Sequence, residues 1–571
     1  MRIRFEFALC IFLVLIAATD STAQKQPKIR DLNAGEYDVM IYGVEKNGAI
    51  GFSTAVGDVN GDGVADLIIG AMTSDAFFKG KMNDAGVVSI YFGRKTFDRK
   101  IDLSTQADVM FYGGAKVEAM GFAVASADLN GDGIRDIIMG APFADGRIGT
   151  GKFNNAGITY VVFGRKTFPD KKVWLEPGKA DVELHSVVKG EYSGSALATG
   201  DFNGDGLDDV LIGAPFSNQP TNDAGTVYVV CGSKSLSGTR DLGKDACATA
   251  HGLESGDRLV LALAGGDLNG DGIGDMVLGA LETDAPNGAA RNVGQVTVIT
   301  GRKNLPAQLN LKTDAAFRFS GSYHDDYVGQ AMAVADVNGD GIADLMIGVP
   351  FADLQPAEPL AQGEGGKKEE KQADAGRVLI FYGGKDFSGE KTLKEGAPLV
   401  LLGVQGGSNY GDHAGGTVAL GDLNGDGAAD LIVGAPLADV QGRTRTDPEQ
   451  MKDVGAVFVV YGGKGLPKQV DLQTGADEVI YGAAKNDFLA GVALTKPRKK
   501  EGLFGLMSPD AYRKAWMTIV YDRFFSKAVT AGDINGDGIT DLVVAAPAAD
   551  GPGATEKIDD AGAVYIFFGK K

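Results

Sequence analysis

The chain has 571 residues, 44% of them hydrophobic, which is enough to bury a large core and excludes wholesale disorder. Its formal net charge is −20, from 75 acidic against 55 basic residues. That excludes a general nucleic-acid binder, which needs a basic face, and points to cations or cationic partners. Gly supplies 84 residues, about twice ordinary usage, with no three-residue period, so the chain is not collagen-like.

Residues 1–23 read as a signal peptide. Arg2 and Arg4 precede an apolar run over 8–18 that is too short to span a bilayer, and Ser21 and Ala23 suit cleavage before Gln24. Residues 24–36 read as a linker. No later apolar run approaches ~20 residues, so no transmembrane segment is expected. The expected location is secreted or extracytoplasmic: extracellular, periplasmic or surface-associated. Cys10 leaves with the signal. Cys231 and Cys247 remain and can form one disulfide in an oxidising compartment.

From residue 58 onward the string D-x-N-G-D-G-x-x-D recurs seven times with no departure at its fixed positions, and successive copies start 70, 73, 66, 69, 86 and 111 residues apart. A unit of about 70 residues with two enlarged intervals is the mark of a repeat architecture. A short alternating stretch precedes each copy, such as 51–58 or 121–128. A β-branched run ending in Gly-Ala-Pro or a relative follows, as in 137–142 and 431–436. Two further strand-like runs complete the unit, such as 85–93 and 107–113. Four short strands cannot bury a face alone, so the units must stack. The expected fold is all-β: one seven-bladed β-propeller of four-stranded blades over residues 37–571. The seventh unit stops after its third strand, and residues 37–43 match the missing fourth. Pairing 37–43 with 561–569 closes the ring and removes two open edges.

Positions 1, 3, 5 and 9 of the repeated string carry side-chain oxygens, and position 7 offers a backbone carbonyl. The copies supply Asp58, Asn60, Asp62, Val64 and Asp66; Asp128, Asn130, Asp132, Ile134 and Asp136; Asp201, Asn203, Asp205, Leu207 and Asp209; Asp267, Asn269, Asp271, Ile273 and Asp275. The remaining three supply Asp336, Asn338, Asp340, Ile342 and Asp344; Asp422, Asn424, Asp426, Ala428 and Asp430; Asp533, Asn535, Asp537, Ile539 and Asp541. Turn chemistry explains the Asn-Gly and Asp-Gly pairs, but not three carboxylates held in register seven times, which repel without a cation. An all-oxygen donor set of this kind selects Ca²⁺, up to seven ions, in a structural role. The residue at position 12 of the first copy is Ile69, not the Glu of a helical calcium hand. Position 7, contributing only its carbonyl, is expected to be free to vary. Seven Ca²⁺ carry +14 and would leave −6 of the formal −20.

These residues resemble the FG-GAP repeats of integrin α-subunit propellers. Gly51-Phe52 and Gly121-Phe122 stand for the first half of that motif. Gly140-Ala141-Pro142, Gly213-Ala214-Pro215 and Gly434-Ala435-Pro436 stand for the second. The first half is altered at Gly194-Ser195, Gly329-Gln330 and Gly415-Gly416 and absent before Asp267 and Asp533. The second weakens at Gly279-Ala280-Leu281 and Ala545-Ala546-Pro547. The resemblance implies a secreted calcium-dependent interaction or adhesion module, with ligand contacts on the face opposite the calcium hairpins. It also extends to a secreted phospholipase D that acts on glycosylphosphatidylinositol anchors beside a separate catalytic domain, for which this chain leaves no room.

The enlarged intervals fall on that opposite face, as insertions at 351–373, 437–452 and 483–525. Within the third, Trp516, Ile519, Val520 and Phe524 recur at helical spacing after Ser508-Pro509. The expected partner is an extracellular or cell-surface protein, or a glycan, with no nucleic acid. The two Trp residues weaken the carbohydrate alternative. His185, His251, His324 and His413 lie in different repeats, and no G-x-S-x-G nucleophile elbow accompanies them. They are expected at the surface, and the chain is expected not to be an enzyme. A hydrolase with an unrecognised site is the other alternative.

Overall fold

Each run after the repeated string is apolar at every position, not alternating, as a strand buried on both faces requires. In the computed structural model these runs are Asp66–Ala71, Asp136–Ala141, Asp209–Ala214, Asp275–Ala280, Asp344–Val349, Asp430–Ala435 and Asp541–Ala546, with every residue buried. Each is the second strand of one blade. The structure describes residues 27–571 apart from 44, 46–47, 78–80, 286–287, 289, 354–373, 404–410, 441–451, 485–486, 488, 491–527 and 551–560. The signal peptide, most of the three insertions and the helix expected over 508–525 therefore lie outside the described residues.

Blade 1 runs Ser53–Gly57, Asp66–Ala71, Val87–Tyr91, Val109–Gly113, each antiparallel to the last. Six more sheets repeat this order, so seven blades stand around one axis. First strands face the central channel, where Thr54, Val124, Leu197, Leu263, Met332, Val418 and Thr530 line one cavity. Hydrophobic clusters join the facing sheets of adjacent blades, as where Ile68 and Val88 of blade 1 meet Ile137 and Met139 of blade 2.

The ring closes through the chain's start. Val39–Tyr42 lies antiparallel to Ala563–Phe567, with Val39 opposite Ile566 and Tyr42 opposite Ala563, and is the fourth strand of blade 7. The four strands expected per blade are present, and each blade gains a fifth. The link between third and fourth strands reaches back and lays a short parallel strand on the outer edge of the preceding blade. Lys172–Leu175 covers Val109–Gly113 in this way, and Lys100–Asp102 covers Val39–Tyr42. An uncovered edge strand would offer unpaired amides to other chains.

This belt corrects the linker reading of residues 24–36. Lys28–Asp31 forms the fifth strand of blade 6, parallel to Glu478–Tyr481, and Leu32–Ala34 forms a 3-10 turn. Its charged sequence reads as a tether because outer-edge strands are solvated. Lys28 and Arg30 both pair with Glu478, at 2.7 and 3.1 Å.

Cys231 and Cys247 are disulfide-bonded and pinch the base of this excursion in blade 3. Blades 1, 2, 6 and 7 place an Asp clasp there. Asp108 accepts the Phe92 amide and Asp181 the Phe163 amide, both at 2.8 Å, and Asp38 accepts the Phe568 amide at 3.0 Å.

Ile41 is fully buried in the closing strand, whereas Ile29 in the outer strand is 40% exposed. Ile41→Ala is expected to cost about 2–5 kcal/mol and Ile29→Ala no more than about 0.5 kcal/mol, read from urea denaturation midpoints.

Candidate metal hairpins and the opposite face

Each hairpin between first and second strands folds because two glycines take conformations other residues avoid. Position 4 has φ between +68° and +74° in all seven copies, and position 6 between +85° and +94°. This curls the backbone around the position 1 carboxylate. In the first copy Asp58 Oδ1 accepts the Gly61 and Asp62 amides at 2.6 and 3.1 Å, and Oδ2 accepts the Gly63 amide at 2.8 Å. Asn60 Oδ1 accepts the Asp62 amide and Asp62 Oδ1 the Val64 amide, both at 2.9 Å. The position 6 amide reaches the position 1 carboxylate in every copy.

Position 9 behaves differently. Asp66, Asp136, Asp209, Asp275, Asp344, Asp430 and Asp541 are at most 1% exposed. One carboxylate oxygen accepts the position 2 amide, and the other accepts the amide of a glycine just beyond the third strand. In blade 1 these are Val59 and Gly93, both at 2.9 Å. Burial pushes the Asp66, Asp136, Asp209 and Asp541 carboxyls up to about 7, against the pull of those amides. Asp275, Asp344 and Asp430 are pushed up to about 6 for the same reason. Repulsion from Asp58 and Asp62 adds to the rise at Asp66.

The structure thus brings the side chains of positions 1, 3, 5 and 9 into one hairpin in all seven blades, turned toward loop amides. Among the described residues, no group of three or more His, Cys, Asp or Glu stands close enough to hold a metal ion as placed. The donor set itself suits Ca²⁺: oxygens only, three carboxylates whose mutual repulsion a cation relieves, and a carbonyl at position 7. Asp58, Asn60, Asp62, the Val64 carbonyl and Asp66, with their six counterparts, are the groups that would hold it.

The expectation that position 7 is free to vary needs correction. It is apolar in every copy because it seats on the preceding hairpin. A Cβ added to Gly61 would stand 2.9 Å from Ile134 Cδ1, and one added to Gly536 would stand 2.9 Å from Val64 Cγ2.

On the opposite face, the turns that feed the first strands repeat the backbone of Gly51, Gly121 and Gly194 even where the motif is absent. Val260 holds φ +76° in blade 4 and Ala490 holds φ +64° in blade 7. Ala490 donates its amide to Ala545, as Gly121 does to Gly140. The first strand of blade 7 begins only at Val529, so residues 491–527 are inserted between this turn and the channel wall.

Sequence reasoning missed a set of buried acids three residues before these turns. They are Glu118, Glu191, Asp257, Asp326, Asp412 and Asp487. Asp326 accepts the Ser322 and Tyr323 amides at 2.8 Å, and Asp257 accepts those of Leu253 and Glu254. Glu191 accepts the Ser186 and Tyr228 hydroxyls instead, and burial pushes it up to about 6. The spacing from Gly121, Gly194, Gly329 and Gly415 was the available signal. The surface reading of the histidines also needs correction. His185 and His413 are buried, His185 against Glu183 at 3.2 Å, while His324 is exposed. Buried His413 packs its ring against Phe351, tilted at 52° with centroids 4.8 Å apart.

A closed wheel with seven acidic hairpins on one face and glycine-type turns on the other defines a class of repeat propeller. The FG-GAP repeat family matches at residues 50–91, 120–162, 193–230, 328–381, 414–460 and 525–567. The chain is an FG-GAP repeat protein, similar to integrin α-subunits. Blade 4, where Val260 replaces the glycine, is the one unmatched.

Phosphatidylinositol-glycan-specific phospholipase D of Bos taurus is 27% identical over 414 residues, covering 66% of this chain and 46% of that protein. The enzyme of that name from Dictyostelium discoideum is 25% identical over 92% of this chain and 52% of its own length. Integrin alpha pat-2 of Caenorhabditis briggsae is 31% identical over 40% of this chain and 16% of its own length. The chain therefore spans about half or less of the length of these relatives. The expectation that it is not an enzyme is corrected by them: proteins named as phospholipases match most of it, at a distant level. Among the described residues no helix is long and apolar enough to cross a membrane.

The raised position 9 carboxyls set the pH dependence of the metal-free protein. Their unfolded value lies near 3.8 and their folded values near 6 to 7, so the native state holds extra protons between those limits. Their contribution to stability is full below about 4 and is lost as pH rises through 6 to 7. Calcium-free protein is expected to melt at a higher temperature at pH 5.5 than at pH 8. Saturating Ca²⁺ should reverse that order, because the cation displaces those protons.

Proposed function

We propose that this chain is a calcium-binding, extracytoplasmic FG-GAP propeller that recognises a cell-surface or extracellular partner with the face opposite its hairpins. Seven identical oxygen-donor hairpins, each closed by a buried Asp, carry the reading. Ca²⁺ there is structural, since the same hairpin recurs in every blade instead of forming one asymmetric centre. The two faces divide the work. The hairpins are short and fixed, and the three insertions of the sequence fall on the opposite face, where binding residues concentrate. At the centre of that face Phe52, Phe122, Leu281, Met332 and Val529 line an apolar cavity of about 90 Å³. The integrin relatives favour a protein partner.

A second reading follows from the phospholipase relatives. The propeller acts in cleavage of a phosphodiester in a glycosylphosphatidylinositol-type substrate, by itself or beside further catalytic residues.

Extracellular calcium modules bind with dissociation constants of about 10⁻⁴–10⁻³ M. At ten times that constant each site stabilises the fold by roughly 1.4 kcal/mol, so seven sites approach a whole domain's stability. Excess chelator is expected to lower the melting temperature by many degrees, and an unchanged value would count against calcium binding. Glycan arrays and cell-surface protein capture, each with and without Ca²⁺, separate the partner classes. Release of a glycosylphosphatidylinositol-anchored reporter from vesicles by the purified chain tests the second reading.

A further inference from the structure

The seven hairpins touch one another all the way around the wheel, through two contacts repeated at every seam. The first is a backbone hydrogen bond. The position 8 amide of each hairpin donates to the position 1 carbonyl of the preceding one: Arg135 to Asp58 at 3.0 Å, Gly274 to Asp201 at 2.8 Å, and across the closure Ala65 to Asp533 at 3.1 Å. All seven seams have this bond, at 2.8 to 3.3 Å. The second is the position 7 side chain, which covers the position 4 glycine of the preceding hairpin. Ile273 reaches to 2.8 Å from a Cβ placed on Gly204, and Ile342 to 3.0 Å from one on Gly270.

The covalent geometry joins these contacts to the donor set. The position 7 carbonyl and the position 8 amide belong to one rigid peptide plane. A cation on that carbonyl orients the amide that binds the preceding hairpin. The acceptor of that amide belongs to the position 1 Asp, whose side chain is itself a donor to the preceding cation.

We propose that the hairpins take up calcium as one coupled ring, each filled site ordering the next through this peptide plane. The proposal rests on the calcium reading above. Ordering shared between neighbours gives positive cooperativity without any change of fold. This contact is thin at two seams: on Gly425 Ile539 stands off at 3.7 Å and Lys571 fills the space at 3.1 Å, whereas on Gly339 nothing else fills it and the seam is loose. At position 7 of the sixth hairpin stands Ala428, whose Cβ lies 3.8 Å from a Cβ placed on Gly339, so the contact made elsewhere by Ile, Leu or Val is thin there.

The test is equilibrium dialysis of the full chain with radioactive calcium, giving stoichiometry, affinity and Hill coefficient together. Wild type is expected to show a Hill coefficient above one. Ile273→Ala retains every donor oxygen and trims only the seam. It is expected to keep the stoichiometry, lower the Hill coefficient and weaken binding about fivefold, the low end of ordinary coupling between sites. Ala428→Ile, filling the loose seam, is expected to raise the Hill coefficient. Ile273 is partly exposed, so its truncation leaves the core intact. A wild-type Hill coefficient of one overturns the coupling and leaves calcium binding standing. Unchanged binding by both variants overturns the seam as its route. No bound calcium overturns both readings.

Discussion

A buried carboxylate holds each blade together at the point where three pieces of chain meet. The Asp that opens the second strand is out of water, and a carboxylate there must be satisfied by donors. One oxygen takes the amide at the start of the hairpin, and the other takes an amide beyond the third strand. First strand, second strand and third strand are thereby fixed to one side chain. The hairpin can then curl only one way, with its oxygens gathered and its glycines at positive φ.

The relation between blades follows from that curl. Once a hairpin is fixed, its position 8 amide points at the previous hairpin and its position 7 side chain lies on the previous glycine. The same logic operates at the outer rim, where each blade is covered by a strand from the next. A wheel built of such steps has no natural end, and the chain's start supplies both missing parts. Val39–Tyr42 completes blade 7 and Lys28–Asp31 covers blade 6. Blade 3 carries a disulfide where blades 1, 2, 6 and 7 use an Asp.

The opposite face is held by different means. Buried acids tie the fourth-to-first turns, and the backbone keeps the glycine conformation even at Val260 and Ala490. Blade 4, outside the family match, thus folds like its neighbours. Both kinds of relative, integrin alpha chains and phospholipases, match this chain over only part of their own length.

The repeated string by itself determined the number of blades, the strands that flank each hairpin, the side-chain oxygens gathered in each hairpin and the closure by residues 37–43. It did so because each depends on residues close in the chain, or on a strand count that leaves one gap. The fifth strands, the role of position 7 and the burial of His185 and His413 were decided only by tertiary structure. Lys28–Asp31 carries no strand signature because a solvated edge tolerates charge. An Ile at position 134 looks unconstrained until the hairpin of the blade before is set against it. These features belong to seams between blades, and a seam joins residues about seventy positions apart whose pairing no local pattern encodes.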